Sequence, residues 1–219
     1  MLTKTDSPEE PNFMLKIFGR PNSINVQKVM WAANELGLQY EHETAGMAFG
    51  KVNEDWYRAM NPNSLVPTID DDGVVLWESN VIVRYLAAKH SAGQMMPEGD
   101  AERADAEMWM DWQQTAIHPP MTPVFWNLIR TPESERNMKS VETNGDKVRD
   151  ALARLNARLV DRTFVCGDQL TVADIPLGCV VYRWFALPVE HGDIPNVRAW
   201  YERLTERAAY REHVMLPVT

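Results

Sequence analysis

Apolar and polar positions change in short bursts along the first ninety residues and settle into a helical period afterwards. Met14 to Phe18 reads as a short strand and Gly19-Arg20-Pro21-Asn22 as a loop. Val26, Val29, Met30, Ala33 and Leu36 then repeat at three and four, so a helix follows, with Gly37 placed to end it. Gln39 to Glu43 suggests a second strand, and Glu54 to Met60 a short irregular helix. Two apolar runs, Val66 to Ile69 and Val74 to Trp77, flank Asp70-Asp71-Asp72-Gly73, whose Asp-Gly pair predicts a hairpin. Ser79 opens an amphipathic run through Val81, Ile82, Tyr85 and Leu86. The order β-α-β-α-β-β-α predicts an α/β unit over residues 13–90.

Ser91 to Asp100 has glycine and proline without an apolar period and reads as a linker, after which strand signals stop. Residues 101–219 are expected to be all-helical, giving an α/β + all-α chain. Ala101 to His118 is helical until Pro119-Pro120, and Glu133 to Val160 carries Val141, Val148, Leu152, Leu155 and Leu159 at helical spacing. Gly145 inside that run costs about 1 kcal/mol against alanine and marks a potential break. Thr171-Val172-Ala173-Asp174 has the form of a capping box, with Leu170 and Ile175 as its hydrophobic staple, which gives Asp174 a structural role. Pro176 is expected to bend the next helix unless it falls near the start, and Pro195 to Leu204 begins the last one.

Composition changes the picture mainly by exclusion. Of the 219 residues 45% are hydrophobic and 24% charged, and the formal charge is -9, so a nucleic-acid partner is not expected, because phosphate binding needs a basic surface. Met1 to Asn12 is polar with two prolines and is read as a mobile tail, neither signal peptide nor anchor. The most apolar stretch, Ile175 to Val189, is interrupted by Arg183 and too short to span a bilayer, so a cytoplasmic address and no membrane partner are expected. Cys166 and Cys179 form no Cys-x-x-Cys and are read as buried free thiols, while His42, His90, His118, His191 and His213 lack metal spacing. Gly46 to Val52 is one residue short of a phosphate loop and lacks the hydroxyl after lysine; Asp70 to Gly73 lacks the ligand pattern of a calcium loop. No metal is predicted.

The candidate chemistry lies in Asn61-Pro62-Asn63-Ser64-Leu65-Val66-Pro67 and, ten residues on, Leu76-Trp77-Glu78-Ser79-Asn80. A strand that begins at an X-Pro bond leaves the N–H and C=O of Val66 facing a ligand instead of a neighbouring strand. Ser79 is expected as a helix N-cap with free N–H groups beside it, which suit a carboxylate, while the Glu78 carboxylate suits an ammonium. An amino-acid zwitterion fits that pair and an extended peptide fits Val66, a description met by glutathione.

At these residues the chain resembles the soluble, cytosolic-type bacterial glutathione S-transferases, and the resemblance runs from Met14 to about Pro217. It implies an N-terminal thioredoxin-like domain that binds glutathione, an all-helical C-terminal domain that shapes a second site, a homodimer, and a cytoplasmic detoxifying enzyme in which the glutathione thiolate attacks a small apolar electrophile. A thiol of pKa about 8.5 must lose roughly two units to ionise well at neutral pH, about 2.7 kcal/mol; one hydrogen bond to the anion at a helix start supplies about that much. Ser23, in Ser23-Ile24-Asn25-Val26-Gln27-Lys28, resembles the Ser-x-Asn start of bacterial subclasses and is the obvious donor, with Asn25 the alternative. Lys51 or Asn53 is placed for the glycyl carboxylate. Met108, Trp109 and Trp112 are expected to line the electrophile pocket, with Met47, Phe49, Phe125 and Trp126 as similar candidates. Two rival readings share the fold: a binding or regulatory protein without turnover, and a glutathione-dependent disulfide reductase, against which the lack of any cysteine from Met1 to Val165 counts.

Overall fold

In the computed structural model, which describes residues 15–91 and 93–219, strands β1 (Leu15–Phe18), β2 (Tyr40–Glu43), β3 (Thr68–Asp71) and β4 (Val74–Trp77) form one mixed sheet in the order β2-β1-β3-β4. The tail expected at Met1 to Asn12 and the Met14 start of the first strand lie outside those residues. β1 pairs parallel with β2 and antiparallel with β3, which pairs antiparallel with β4. Alternation in β1 puts Leu15 and Ile17 on the face covered by helices α1 (Ile24–Glu35) and α3 (Ser79–His90), and Phe18 on the face covered by α2 (Asp55–Met60). This is the small α/β layer that the element order predicts.

α1 ends as its glycine dictates. Gly37, at φ +68°, bonds the Asn34 carbonyl while Leu38 bonds that of Ala33, a paired closure that favours a residue without a Cβ. The hairpin is tighter than the four-residue spacer suggests. Asp71 faces Val74 in the ladder, so the loop is only Asp72-Gly73, with φ +53° and +86°, the pair of left-handed residues that a twisted two-residue turn requires. At its other end β3 begins at Thr68 and not at Val66, because Pro67 has no N–H to give the ladder; the Val66–Pro67 bond is cis.

The helical layer departs from expectation at its prolines. α4 (Asp100–Trp112) does not stop at Pro119-Pro120 but runs through a π turn, Gln113–Ile117, into α5 (His118–Phe125) and a second π turn, Trp126–Arg130. Both prolines lie in the first turn of α5 directly after widened backbone, so no regular i to i−4 bond is lost there. α6 (Met138–Arg158) starts five residues later than its apolar period suggests, where the Asn137 side chain accepts from the Ser140 N–H at 2.9 Å; Glu133–Glu135 is a separate 3-10 turn. Gly145 does not break α6, for it is buried near Trp184. α7 (Asp174–Ala186) holds Pro176 in its first turn, α8 is Pro195–Thr205, and an unanticipated α9 spans Ala208–His213. Asp174 is fully buried and accepts from the N–H groups of Val165 and Thr171, the Thr171 hydroxyl and Trp200 Nε1; burial pushes its carboxyl up against those four bonds.

The two layers share one core. Ile24, Trp31 and Ala32 of α1 and Val83 and Ala87 of α3 belong to the same apolar cluster as α4 to α8. Gly178 permits the closest approach, because a Cβ there would stand 2.8 Å from the Trp31 ring and 2.9 Å from Leu204. The linker is packed as well, with Met95 and Met96 buried and the Val172 N–H bonded to the Met95 carbonyl.

Candidate functional site

The loop before β3 is held from beneath. Asn61, buried, donates through Nδ2 to the Leu65 carbonyl (2.9 Å) and Thr68 Oγ1 (3.0 Å), and accepts from the Asn63 N–H through Oδ1. The Tyr57 hydroxyl reaches the same Leu65 carbonyl at 2.7 Å and Thr68 Oγ1 at 2.9 Å. These bonds satisfy Leu65 and stop there: among the described residues neither the N–H nor the C=O of Val66 has a protein partner. The Val66 side chain meanwhile packs over two glycines. A Cβ on Gly19 would lie 3.3 Å from Val66 Cβ, and one on Gly46 would lie 3.2 Å from Val66 Cγ1 and 3.3 Å from Arg20 Nη1.

Two helix starts meet beside this loop. Ser23 is the N-cap of α1 in extended backbone, 7% exposed, yet its side chain makes no capping bond, which leaves the hydroxyl available. Ser79 is not the N-cap of α3 as the sequence suggests. That position is held by Glu78 at φ +73°, left-handed backbone that costs a side-chain-bearing residue about 1–3 kcal/mol, and Ser79 is the first helical residue. Freed from capping, the Ser79 hydroxyl donates to Asn25 Oδ1 at 3.4 Å and so joins the two helix starts.

Ser23 and Asn25 open into a cavity of about 180 Å³ between the layers, bounded opposite by His118, Met121, Phe125 and Trp126. Its electrostatics are one-sided. Arg20, Arg130 and Arg183 line it together, and Lys28 lies just beneath, 2% exposed, its ammonium donating to Asn80 Oδ1 and Gln113 Oε1 at 3.3 Å each. Burial lowers the Lys28 ammonium to about 8 and Arg183 to about 10. Burial, with Lys28 and Arg183 nearby, takes His118 down to about 4, so its ring is neutral at pH 7. The cavity mouth is crossed by the last residues of the chain: Asn22 Nδ2 donates to Thr219 Oγ1 and Arg130 to the Thr219 carbonyl.

Of the residues singled out in the sequence, Ser23 and Asn25 line the cavity, Ser79 follows Glu78 at the start of α3 and bonds Asn25, and Val66, ahead of Pro67, packs over Gly19 and Gly46. Lys51 pairs with Glu43 at 2.9 Å, and Asn53 is exposed nearby on the same loop. Met108, Trp109 and Trp112 lie elsewhere. Met108 is 55% exposed, and the two tryptophans stack edge to face, 4.9 Å apart, against the helical core with Arg158 over Trp109. The reason is rotational: the face of α4 turned to the first layer carries Glu107 and Asp111, both paired with Arg84 of α3, and the buried Met110. The aromatics at the cavity are Phe125 and Trp126 instead, while Met47 reaches its rim through Arg130. The three arginines and the Tyr57–Asn61–Thr68 brace escaped the sequence reading. Only Arg183 left a trace, as the cation interrupting the most apolar stretch. Cys179 is buried and Cys166 half-buried; burial pushes their thiols up to about 12 and about 11, which keeps both protonated and inert at neutral pH.

Residues 22–89 match the family profile described as "Glutathione S-transferase, N-terminal domain" and residues 117–208 that described as "Glutathione S-transferase, C-terminal domain". The chain is 38% identical to glutathione S-transferase GstB of Escherichia coli strain K12, over 94% of this chain and all of that protein. It is 29% identical to glutathione S-transferase 3 of Zea mays, over 91% and 93%. Among solved structures, the theta class glutathione S-transferase from Xanthomonas axonopodis pv. citri with glutathione bound superposes with a TM-score of 0.91 at 41% identity, covering 94% of this chain and all of that one.

Proposed function

The chain belongs to the glutathione S-transferase family, and from that premise we propose how its residues divide the work of joining the glutathione thiol to an electrophile. The unpaired N–H and C=O of Val66 bind the central amide of the tripeptide as a strand would. The start of α3 takes the γ-glutamyl end, its carboxylate at the Ser79 N–H and its ammonium at Glu78, whose strained backbone holds the acid there. The glycyl carboxylate goes to the loop of Lys51 and Asn53; Lys51 is already shared with Glu43, whereas Asn53 has no such tie.

This places the sulfur at the start of α1, where Ser23 donates to the thiolate. The observation that carries this reading is the free Ser23 hydroxyl at a helix start inside the cavity, set beside an Asn25 whose amide oxygen is engaged with Ser79. The electrophile lies against the exposed Trp126, with Phe125 buried behind Arg183, and not on Met108, Trp109 and Trp112. Ser23→Ala is expected to raise the pKa of the bound thiol by about one to two units, read by ultraviolet titration of the thiolate, and to lower kcat/KM about 10- to 100-fold. An unchanged titration in Ser23→Ala together with a raised one in Asn25→Ala moves the role to Asn25.

The protein acts as a cytoplasmic homodimer in this reading. Exposed Val74 and Trp77 on β4, Val81 on α3 and Met108 on α4 offer an apolar surface for the second copy, and among the described residues no helix is long and apolar enough to cross a membrane. A disulfide reductase or a non-catalytic binder is not favoured: the curated relatives are named as transferases, and no cysteine lines the cavity.

A further inference from the structure

The chain carries 31 acidic residues against 22 Lys and Arg, yet the cavity beside Ser23 is lined by three arginines and no acid. Arg130 is occupied: it donates to the Thr219 carbonyl at 3.2 Å and to Met47 Sδ at 3.6 Å and lies over the rings of Phe125 and Trp126. Arg20 and Arg183 are different. Neither makes a hydrogen bond or an ion pair with any described residue, and Arg20 Nε is buried without a partner. Arg183 stands 4.2 Å over the Phe125 ring, which fixes the guanidinium plane but satisfies none of its N–H donors.

Two guanidiniums kept partly out of water, Arg20 disfavoured by burial and by Arg130, Arg183 by burial and by Arg130 and Arg20, with no counter-charge among the described residues, are held at a cost that an anion would relieve. The tripeptide's own charges are accounted for at Ser79, Glu78 and the Lys51–Asn53 loop, and Lys28 is committed to Asn80 and Gln113. We propose that the preferred electrophile carries a carboxylate or an equivalent monoanion, gripped by Arg20 and Arg183, with its apolar body on the exposed Trp126 and its reactive carbon turned toward Ser23. This rests on the transferase reading. With a halide as leaving group the thiolate sulfur bonds to the carbon, the carbon–halogen bond breaks, and halide departs with the electron pair; the thiol proton has already gone to solvent. The carboxylate is unchanged.

The test compares 4-chloro-3-nitrobenzoate with 4-chloro-3-nitrobenzamide, which differ in one charged group, each kcat/KM being divided by its uncatalysed rate constant with glutathione. The wild type is expected to prefer the benzoate by about tenfold or more, the scale of one hydrogen bond to a charged group. Arg183→Gln should bring the ratio near one, Arg183→Lys should retain most of it, and added salt should reduce it. Unsubstituted benzoate should inhibit competitively against the electrophile and not against glutathione, while benzamide should not inhibit. That measurement needs no variant and decides the matter if Arg183→Gln fails to fold. Turnover of the benzamide and of chlorodinitrobenzene with no preference for the benzoate overturns this inference alone. So does an Arg183→Gln enzyme with a raised KM for glutathione and an unchanged ratio, because the arginine then serves the tripeptide. Absence of turnover with all three electrophiles overturns the transferase reading itself.

Discussion

His118 is a histidine whose charge state its surroundings have fixed. Half-buried at the cavity, with Lys28 and Arg183 nearby, it titrates at about 4 instead of 6.5. In the unfolded chain it would take up its proton first as pH falls. Its contribution to stability is therefore intact above pH 6.5 and is lost progressively toward pH 4. Urea melts at pH 7 and about pH 4.5 should show His118→Gln losing less stability over that interval than the wild type. At this scale the sequence was uneven. The unpaired backbone of Val66 follows from an X-Pro strand start and the structural role of Asp174 from Thr171 three residues before it, although Ala173 and not Thr171 is the N-cap of α7, because each depends on neighbours within a few residues. Arg20, Arg130 and Arg183 are 163 positions apart end to end, and no local pattern joins them.

Two glycines within helices show how an element's residues answer to different neighbours. Gly145 lies in α6 with only the end of the flexible Arg149 side chain and the Trp184 ring near its absent Cβ, at 3.5 and 3.9 Å. Gly145→Ala should thus raise stability by about 0.5–1 kcal/mol, the ordinary gain of alanine in a helix. Gly178 in α7 faces the Trp31 ring at 2.8 Å, so Gly178→Ala should cost about 1–3 kcal/mol through overpacking. Thermal melts of the pair, moving in opposite directions, check both. Propensity alone scores the two positions alike and is silent on this difference. It is equally silent on the π turns, which carry the chain through Pro119 and Pro120 and bring His118 and Trp126 to the cavity.

For the whole molecule, the shared core argues that the α/β layer and the helical layer unfold as one. Trp31 packs edge to face with Tyr210 at 4.7 Å and donates to Glu35, which is gripped by Arg207 Nε and Nη2 at 2.8 and 2.6 Å. Denaturation followed by far-ultraviolet dichroism and by tryptophan fluorescence should therefore give coincident transitions. Arg207→Ala leaves Glu35, whose side chain is 9% exposed, without its cation, and should lower stability by about 2 kcal/mol or more while keeping the transitions together. Two separated transitions in the variant would show instead that this ion pair, and not the core, couples the layers.

The sequence by itself determined the strand and helix order of the first ninety residues, the Asp-Gly hairpin and the glycine end of α1, since each is written in residues adjacent along the chain. Which side chains line the cavity beside Ser23 was decided only by tertiary structure. The rotation of α4 turns Met108, Trp109 and Trp112 away from the cleft, and the packing of α7 on α1 through Gly178 brings Arg183 up beside Arg20 and Ser23. The physical reason is one of range. Helix and turn signals act over three or four residues, whereas a charge finds its neighbours only after the core has set the distance between elements.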